Sequence, residues 1–329
     1  MKAIIFPMLC VGVAILFIID LCIGGVTLSW TEVWNALIYK EGTSSTLTIV
    51  RDIRLVKAIV ALLAGAALSV SGLEMQTLFR NPLAGPYVLG ISSGASIGVA
   101  LFVMGGSLFA IPSSIYSIGI AGAAWIGAAA VLTIIAAIGR KIKDIMVILI
   151  LGMMFSSASG AIVQILQYVS HEDALKSFVI WTMGSLGDVT GMQLYIFIPA
   201  VVIGLIVGVA AIKPLNLMMF GEEYARTMGL NINRTRAILF ISTTLLAGTA
   251  TAFCGPIGFI GLAMPHVARI MVNDSNHHVL LPATLLIGSI SLLLCDIISK
   301  IWTLPINAVT ALLGIPIVVW IVLKNQLSK

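Results

Sequence analysis

The sequence predicts an all-α polytopic transmembrane helical bundle of about ten spans, with both termini on the cytoplasmic side. Three observations carry that prediction. Of 329 residues, 60% are hydrophobic and 9% are charged, against the roughly 25% charged residues of a soluble domain. The apolar residues fall in runs of about 20, the length a helix needs to cross a hydrocarbon core of about 30 Å with its backbone polar groups paired internally. The short alternating strands of a transmembrane barrel do not appear.

Ten segments meet the requirement: 3–24, 55–79, 86–107, 115–138, 145–168, 191–211, 237–254, 256–272, 279–299 and 306–324. The first has one basic flank residue, Lys2, and no convincing A-x-A cleavage site, so it reads as a retained helix and not as a signal peptide. Residues 25–50 carry Trp30 and Trp34 and read as an external stretch lying at the membrane interface. The span 55–79 runs into the turn Arg80-Asn81-Pro82-Leu83-Ala84-Gly85-Pro86. Glycine and proline interrupt 86–107 and 256–272, the latter at Gly255-Pro256-Ile257-Gly258-Phe259-Ile260-Gly261 and Pro265-His266. Non-helical backbone at membrane depth requires a protein or water-filled cover and is common beside transport pathways; an ordinary headgroup-level loop is the alternative for each. Gly90, Gly94 and Gly98, like Gly65, Ser69 and Gly72, form small-residue faces on which helix backbones approach closely. The longest internal loop is 212–236. Its centre, Glu222 to Met228, has good helix formers bounded by Gly221 and Gly229, which predicts a short helix parallel to the membrane.

Charge orients this bundle. Twelve Lys and Arg fall inside (Lys2, Arg80, Arg140, Lys141, Lys143, Lys213, Arg226, Arg234, Arg236, Arg269, Lys324, Lys329) and six outside (Lys40, Arg51, Arg54, Lys57, Lys176, Lys300), as the positive-inside rule expects. Half of the outer six crowd into Arg51–Lys57, an anomaly that calls for a cause. The net charge of +5 is scattered among loops and forms no nucleic-acid stripe. Cys10, Cys22, Cys254 and Cys295 lie in or beside apolar runs and read as packing residues, with neither a disulfide framework nor a metal site. Asp20, Glu74, His266 and Asp296 are the ionisable residues within spans. Each stands near a span end, where snorkelling or interfacial hydration lowers its cost, and Asp296 and Lys300 read as an i, i+4 pair. A proton relay across the midplane is not visible, which weighs against an ion-coupled transporter. The chain has no G-x-x-x-x-G-K-[ST] loop, so any ATP used must be bound elsewhere.

Over nearly its whole length the sequence resembles the FecCD/BtuC-type permease subunits of bacterial type II ABC importers for iron–siderophores, haem and vitamin B12. The resemblance rests on Gly65-Ala66-Ala67-Leu68 through Asn81-Pro82-Leu83-Ala84 to Leu89-Gly90-Ile91-Ser92-Ser93-Gly94-Ala95, on Trp181 with Gly184-Ser185-Leu186, and on Gly221-Glu222-Glu223, Ala225-Arg226 and Gly229-Leu230. It continues through Gly255–Leu262, Pro265-His266 and Arg269, and ends at Leu304-Pro305, Val309-Thr310-Ala311, Gly314 and Pro316.

The resemblance implies a single permease domain, 1–329, in the bacterial inner membrane. It implies a second permease subunit (a homodimer or a homologous heterodimer), two cytoplasmic ATPases and an extracytoplasmic substrate-binding protein. No cofactor is implied for this chain; ATP and Mg would be used by the ATPase. By the same resemblance, residues 221–230 are a coupling helix that docks on the ATPase through Gly221, Glu222, Glu223, Ala225, Arg226 and Gly229. Arg54, Lys57 and Lys300 take the place of cations that dock the binding protein. There Val56 replaces a proline and Lys57 an arginine, with loss of the planar fork that grips a carboxylate. Asn81 and Leu83 match a cytoplasmic gate. The expected cargo is an Fe(III)–siderophore, with vitamin B12 or haem as alternatives; an ion-coupled secondary transporter and a non-transporting scaffold are the readings from other classes.

Overall fold

The computed structural model describes residues 2–105, 113–139, 142 and 144–327. Arg140, Lys141, Lys143 and Lys329 of the charge tally lie outside the described residues. In chain order the helices are α1 (Lys2–Cys22), α2 (Trp30–Trp34), α3 (Ser44–Leu47), α4 (Leu55–Leu78), α5 (Ile91–Gly105), α6 (Ser113–Gly139), α7 (Ile145–Val169) and α8 (Glu172–Met183). They continue as α9 (Gly191–Ala210), α10 (Ile212–Met218), α11 (Glu222–Thr227), α12 (Ile232–Thr243), α13 (Thr249–Cys254), α14 (Ile260–Val272), α15 (His277–Trp302) and α16 (Ile306–Leu327).

A π-helical stretch, Thr244–Gly248, joins α12 to α13, so Ile232–Cys254 is one span. Among the described residues seven helices are long and apolar enough to cross a membrane, and three shorter apolar helices at Ile91–Gly105, Ile260–Val272 and Ile306–Ile321 complete the ten. The chain is a multi-pass, all-helical membrane protein, as expected.

Two parts differ from expectation. The 25–50 stretch contains α2, stapled by a capping box in which Ser29 and Glu32 bond each other's backbone N–H. The bonds from Ser29 hold the Glu32 carboxyl below its usual range, and Trp30 and Trp34 stack at 5.9 Å between ring centroids. From Ser44 the chain is already helical and runs through a π-helical stretch, Thr48–Arg54, into α4, making one 35-residue segment. The second difference is α8, a 12-residue helix where no element was expected. Its first turn carries Glu172 and Asp173, which suits a helix N-terminus, and at about 1.5 Å per residue it is too short to cross.

Lipid offers little hydrophobic drive for helix association, so close contact must do the work. The small-residue faces do this. A Cβ on Gly72 would overlap the carbonyl oxygen of Gly261 in α14, and one on Gly65 would overlap that of Gly288 in α15. In the other half of the molecule, Gly94 and Gly98 of α5 meet Gly127 and Ala123 of α6 in the same way. Around the first contacts lies a core built on Val60, Leu68, Ile260, Leu292 and Leu293; around the second lies one built on Phe79, Leu89, Ile91, Ala124 and Leu239.

The interrupted segments are covered by protein. After Gly255, with φ of 75°, the chain is non-helical as far as Phe259, which is itself at φ of 65°. The Gly258 N–H donates to Asn307 Oδ1 at 3.0 Å and Ser185 N–H to the Cys254 carbonyl at 2.9 Å. Beside this break a cavity of about 250 Å³ is lined by Trp181, Ser185, Gln193, Phe253 and Gly255. Protein cover plus a cavity is the condition under which such backbone survives at depth.

Candidate functional site

The inner loop folds as two short helices. Gly221, with φ of 105°, turns the chain from α10 into α11, and Gly229, with φ of 86°, turns it out again. The Leu230 N–H returns to the Ala225 carbonyl at 3.0 Å, closing the turn. The short helix expected at Glu222 to Met228 is therefore present, at Glu222–Thr227.

Its residues divide by direction. Ala225 is buried, in the core that also holds Met218 and Ile232. Glu222 points inward and clasps Arg236 of α12, its Oε1 accepting from Nε at 2.9 Å and its Oε2 from Nη2 at 2.6 Å. Arg236 also donates from Nη1 to the Ile142 carbonyl at 3.0 Å. Glu223, Arg226 and Gly229 face solvent. So do three apolar side chains the sequence reading passed over: Phe220 (69% exposed), Tyr224 (50%) and Met228 (58%). The Phe220 and Tyr224 rings lie 5.4 Å apart. The i, i+4 spacing of Tyr224 and Met228 was the signal that could have found those two; Phe220 stands across the Gly221 turn.

These directions separate two effects. Glu222→Ala is expected to lower thermal stability by about 1.5–3 kcal/mol, the value of a hydrogen bond to a charged group. Arg226→Ala should leave the melting temperature unchanged. Thermal scans of the two purified variants check this; equal melting temperatures would refute the inward role of Glu222.

At the outer end the expected docking cations are turned into the protein. Arg54 is 4% exposed, and its Nη1 donates to the carbonyls of Leu21 at 3.0 Å and Cys22 at 2.9 Å, while Nη2 reaches the Val26 carbonyl. It thereby caps the end of α1. Lys300, with its side chain 8% exposed, pairs with Asp296 at 2.9 Å and with Asp20 at 2.8 Å. Lys57, 20% exposed, pairs with the other oxygen of Asp296 at 3.0 Å. The i, i+4 pair is present, but as one edge of a four-charge cluster joining α1, α4 and α15. No other hydrogen-bond donor among the described residues reaches either carboxylate. Asp20 and Asp296 do not snorkel, contrary to expectation: both are fully buried, because neighbouring helices cover them.

Glu74 also departs from expectation. It is fully buried, with Ser242 Oγ donating to Oε1 at 2.7 Å and Thr243 Oγ1 to Oε2 at 3.1 Å. A carboxylate deep between α4 and α12 is thus held by two hydroxyls.

The turn at the inner end of α4 is built by its own side chains. Asn81 Oδ1 accepts the Leu83 N–H at 2.9 Å, an Asx turn. His266 Nε2 donates to the Pro82 carbonyl at 2.7 Å and ties the turn to α14. Leu83 is exposed.

Comparison with known proteins agrees with this architecture. Residues 12–324 match the model of the FecCD transport family. The hemin transport system permease protein HmuU of Yersinia pestis is 33% identical over 330 residues, 97% of each chain. The vitamin B12 import system permease protein BtuC of Salmonella typhi is 36% identical over 278 residues, 83% of each chain. A solved structure of a metal-chelate type ABC transporter in an inward-facing conformation superposes with a TM-score of 0.84 at 27% identity, covering 98% of this chain and all of that one. The chain belongs to the FecCD transport family.

Proposed function

We propose that this chain is the membrane-spanning subunit of an ABC importer that carries an iron(III)–siderophore complex across the bacterial inner membrane by alternating access. The observation that carries the importer reading is the exposed apolar surface at α11: Tyr224 and its C-cap Met228 beside Arg226, on a helix set off by two left-handed glycines, with Phe220 stacked on Tyr224 from just before the first of them. A rigid six-residue helix hung on glycine turns moves as a unit. It can pass a displacement of a docked ATPase to α10 and α12. Family membership and the likeness to a metal-chelate transporter support a chelate as cargo.

In this reading the chain does no covalent chemistry. Two copies, or this chain and a homologue, enclose the pathway; two cytoplasmic ATPases consume ATP and Mg; and an external binding protein delivers the cargo. Asn81 and Leu83 narrow the inner mouth, with Leu83 supplying the apolar surface. Lys57 is the docking cation with most free surface, while Arg54 and Lys300 set the shape of the outer rim from within.

Replacing Phe220 and Tyr224 together by alanine is expected to weaken ATPase association by about 2 kcal/mol or more, as buried aromatic anchors do. Co-purification of the ATPase with wild-type and variant permease measures it. For cargo, vesicles holding the permease, its ATPase and its binding protein should take up ferric siderophore in an ATP-dependent way. Uptake driven by an ion gradient without the ATPase would overturn the importer reading. A second cargo, haem, is favoured by the hemin permease relative that matches 97% of this chain; haem uptake with no siderophore uptake would replace the first.

A further inference from the structure

Two adjoining cavities open at the inner ends of α4, α14 and α15, of about 420 and 270 Å³. Gln76, Arg80 and Arg269 line both; His266 lines the larger, and Ser275 and His277 the smaller. Among the described residues no Asp or Glu lines either one.

Among the described residues the two arginines have no acidic ion-pair partner. Arg269 Nη1 donates to the neutral Gln76 Oε1 at 2.7 Å, and Gln76 in turn donates from Nε2 to the Leu262 carbonyl at 3.0 Å. The two histidines serve the walls: His266 holds the Pro82 carbonyl, and His277 Nδ1 donates to Asn216 Oδ1 at 2.8 Å.

Arg80 is more unusual. It is the left-handed residue that ends α4, with φ of 48°, and the Asn81 N–H closes back to the Gln76 carbonyl at 3.2 Å. Glycine is the ordinary occupant of that position, because an L-residue there brings its Cβ against the neighbouring carbonyl. Strain of this kind persists where the side chain is wanted. Here it sets an exposed guanidinium at the mouth of both cavities, next to Gly221.

We propose that the two cavities form a binding site for a phosphate group, held by the guanidiniums of Arg80 and Arg269. Two forks offer more donors than a carboxylate has oxygens, whereas the tetrahedral oxygens of a phosphate can meet both. The volume exceeds one inorganic phosphate and leaves room for a substituent. Ile270, half-exposed on the rim, suits an acyl chain. The same chemistry is offered by free phosphate in the cytosol and by the headgroup of an anionic phospholipid.

The test uses the full-length permease and Arg80→Gly, which relieves the backbone strain and so keeps the fold. Melting temperatures are read in detergent, in phosphate against chloride at matched ionic strength, and in nanodiscs of phosphatidylglycerol against the phosphate-free digalactosyldiacylglycerol. The wild type should be stabilised in at least one phosphate-bearing medium. Arg80→Gly should melt no lower than wild type without ligand, yet bind about tenfold more weakly. Arg269→Gln should also lose the response, and Lys213→Gln, an exposed inner cation outside the cavities, should keep it. A response to phosphate in detergent identifies the free ion; one confined to phosphatidylglycerol discs identifies the lipid. Equal responses of wild type and Arg80→Gly in both media, or none in either, would overturn the proposal.

Discussion

Lys300→Met is expected to destabilise the protein by about 3–5 kcal/mol, the cost of stranding a buried charge. Asp20 is fully buried and has Lys300 as its ion-pair partner at 2.8 Å. Lys57 cannot replace it, since its ammonium is already engaged by Asp296 at 3.0 Å. Adding Asp20→Asn to Lys300→Met removes the stranded carboxylate and leaves the Lys57–Asp296 pair intact, so the double variant should recover most of the loss. A cation that only met a partner protein would behave otherwise, changing docking and its salt dependence but not the melting temperature. Thermal unfolding of the single and double variants, without any partner present, therefore decides between the two. An unaltered melting temperature in Lys300→Met would refute the cluster.

Gly72→Val is expected to abolish the folded protein. Its Cβ would overlap the backbone oxygen of Gly261, and no rotamer change can move a carbonyl. Helices α4 and α14 would have to separate, losing the contacts that hold helices together in lipid. Overpacking of a core against side chains costs typically about 1–3 kcal/mol; here the obstacle is backbone and the loss is larger. Gly122→Val in α6, where a Cβ meets nothing within 4 Å, is the control. Size-exclusion profiles in detergent should show a single species for the control and aggregate for Gly72→Val. A monodisperse Gly72→Val with wild-type melting would contradict the packing.

The spans were legible because the hydrocarbon core imposes a length that composition alone reveals. Helix α8 was not, because Glu172, Asp173 and Lys176 break the apolar run and a 12-residue helix needs no membrane-length signal. The coupling segment was legible from Gly221 and Gly229, but a six-residue helix has too few turns to say which face is buried. The resemblance assigned Glu222 to docking, and its clasp on Arg236, 14 positions away, could be seen only in the fold. The outer charges were visible as an anomaly at 51–57. Their surroundings needed the fold, since Arg54 meets the carbonyls of Leu21, Cys22 and Val26 and Lys57 meets Asp296, all distant in the chain.

Helix α4 is fastened at three heights. The charge cluster grips its outer end, Gly65 and Gly72 lock its middle against α15 and α14, and Gln76 with the turn after Arg80 ties its inner end to α14. A rod clamped at three points neither slides nor spins against its neighbours. Any tilt imposed at the Arg80 turn must therefore appear at the outer rim, more than 30 Å away at about 1.5 Å per residue, with α4, α14 and α15 travelling as one beam.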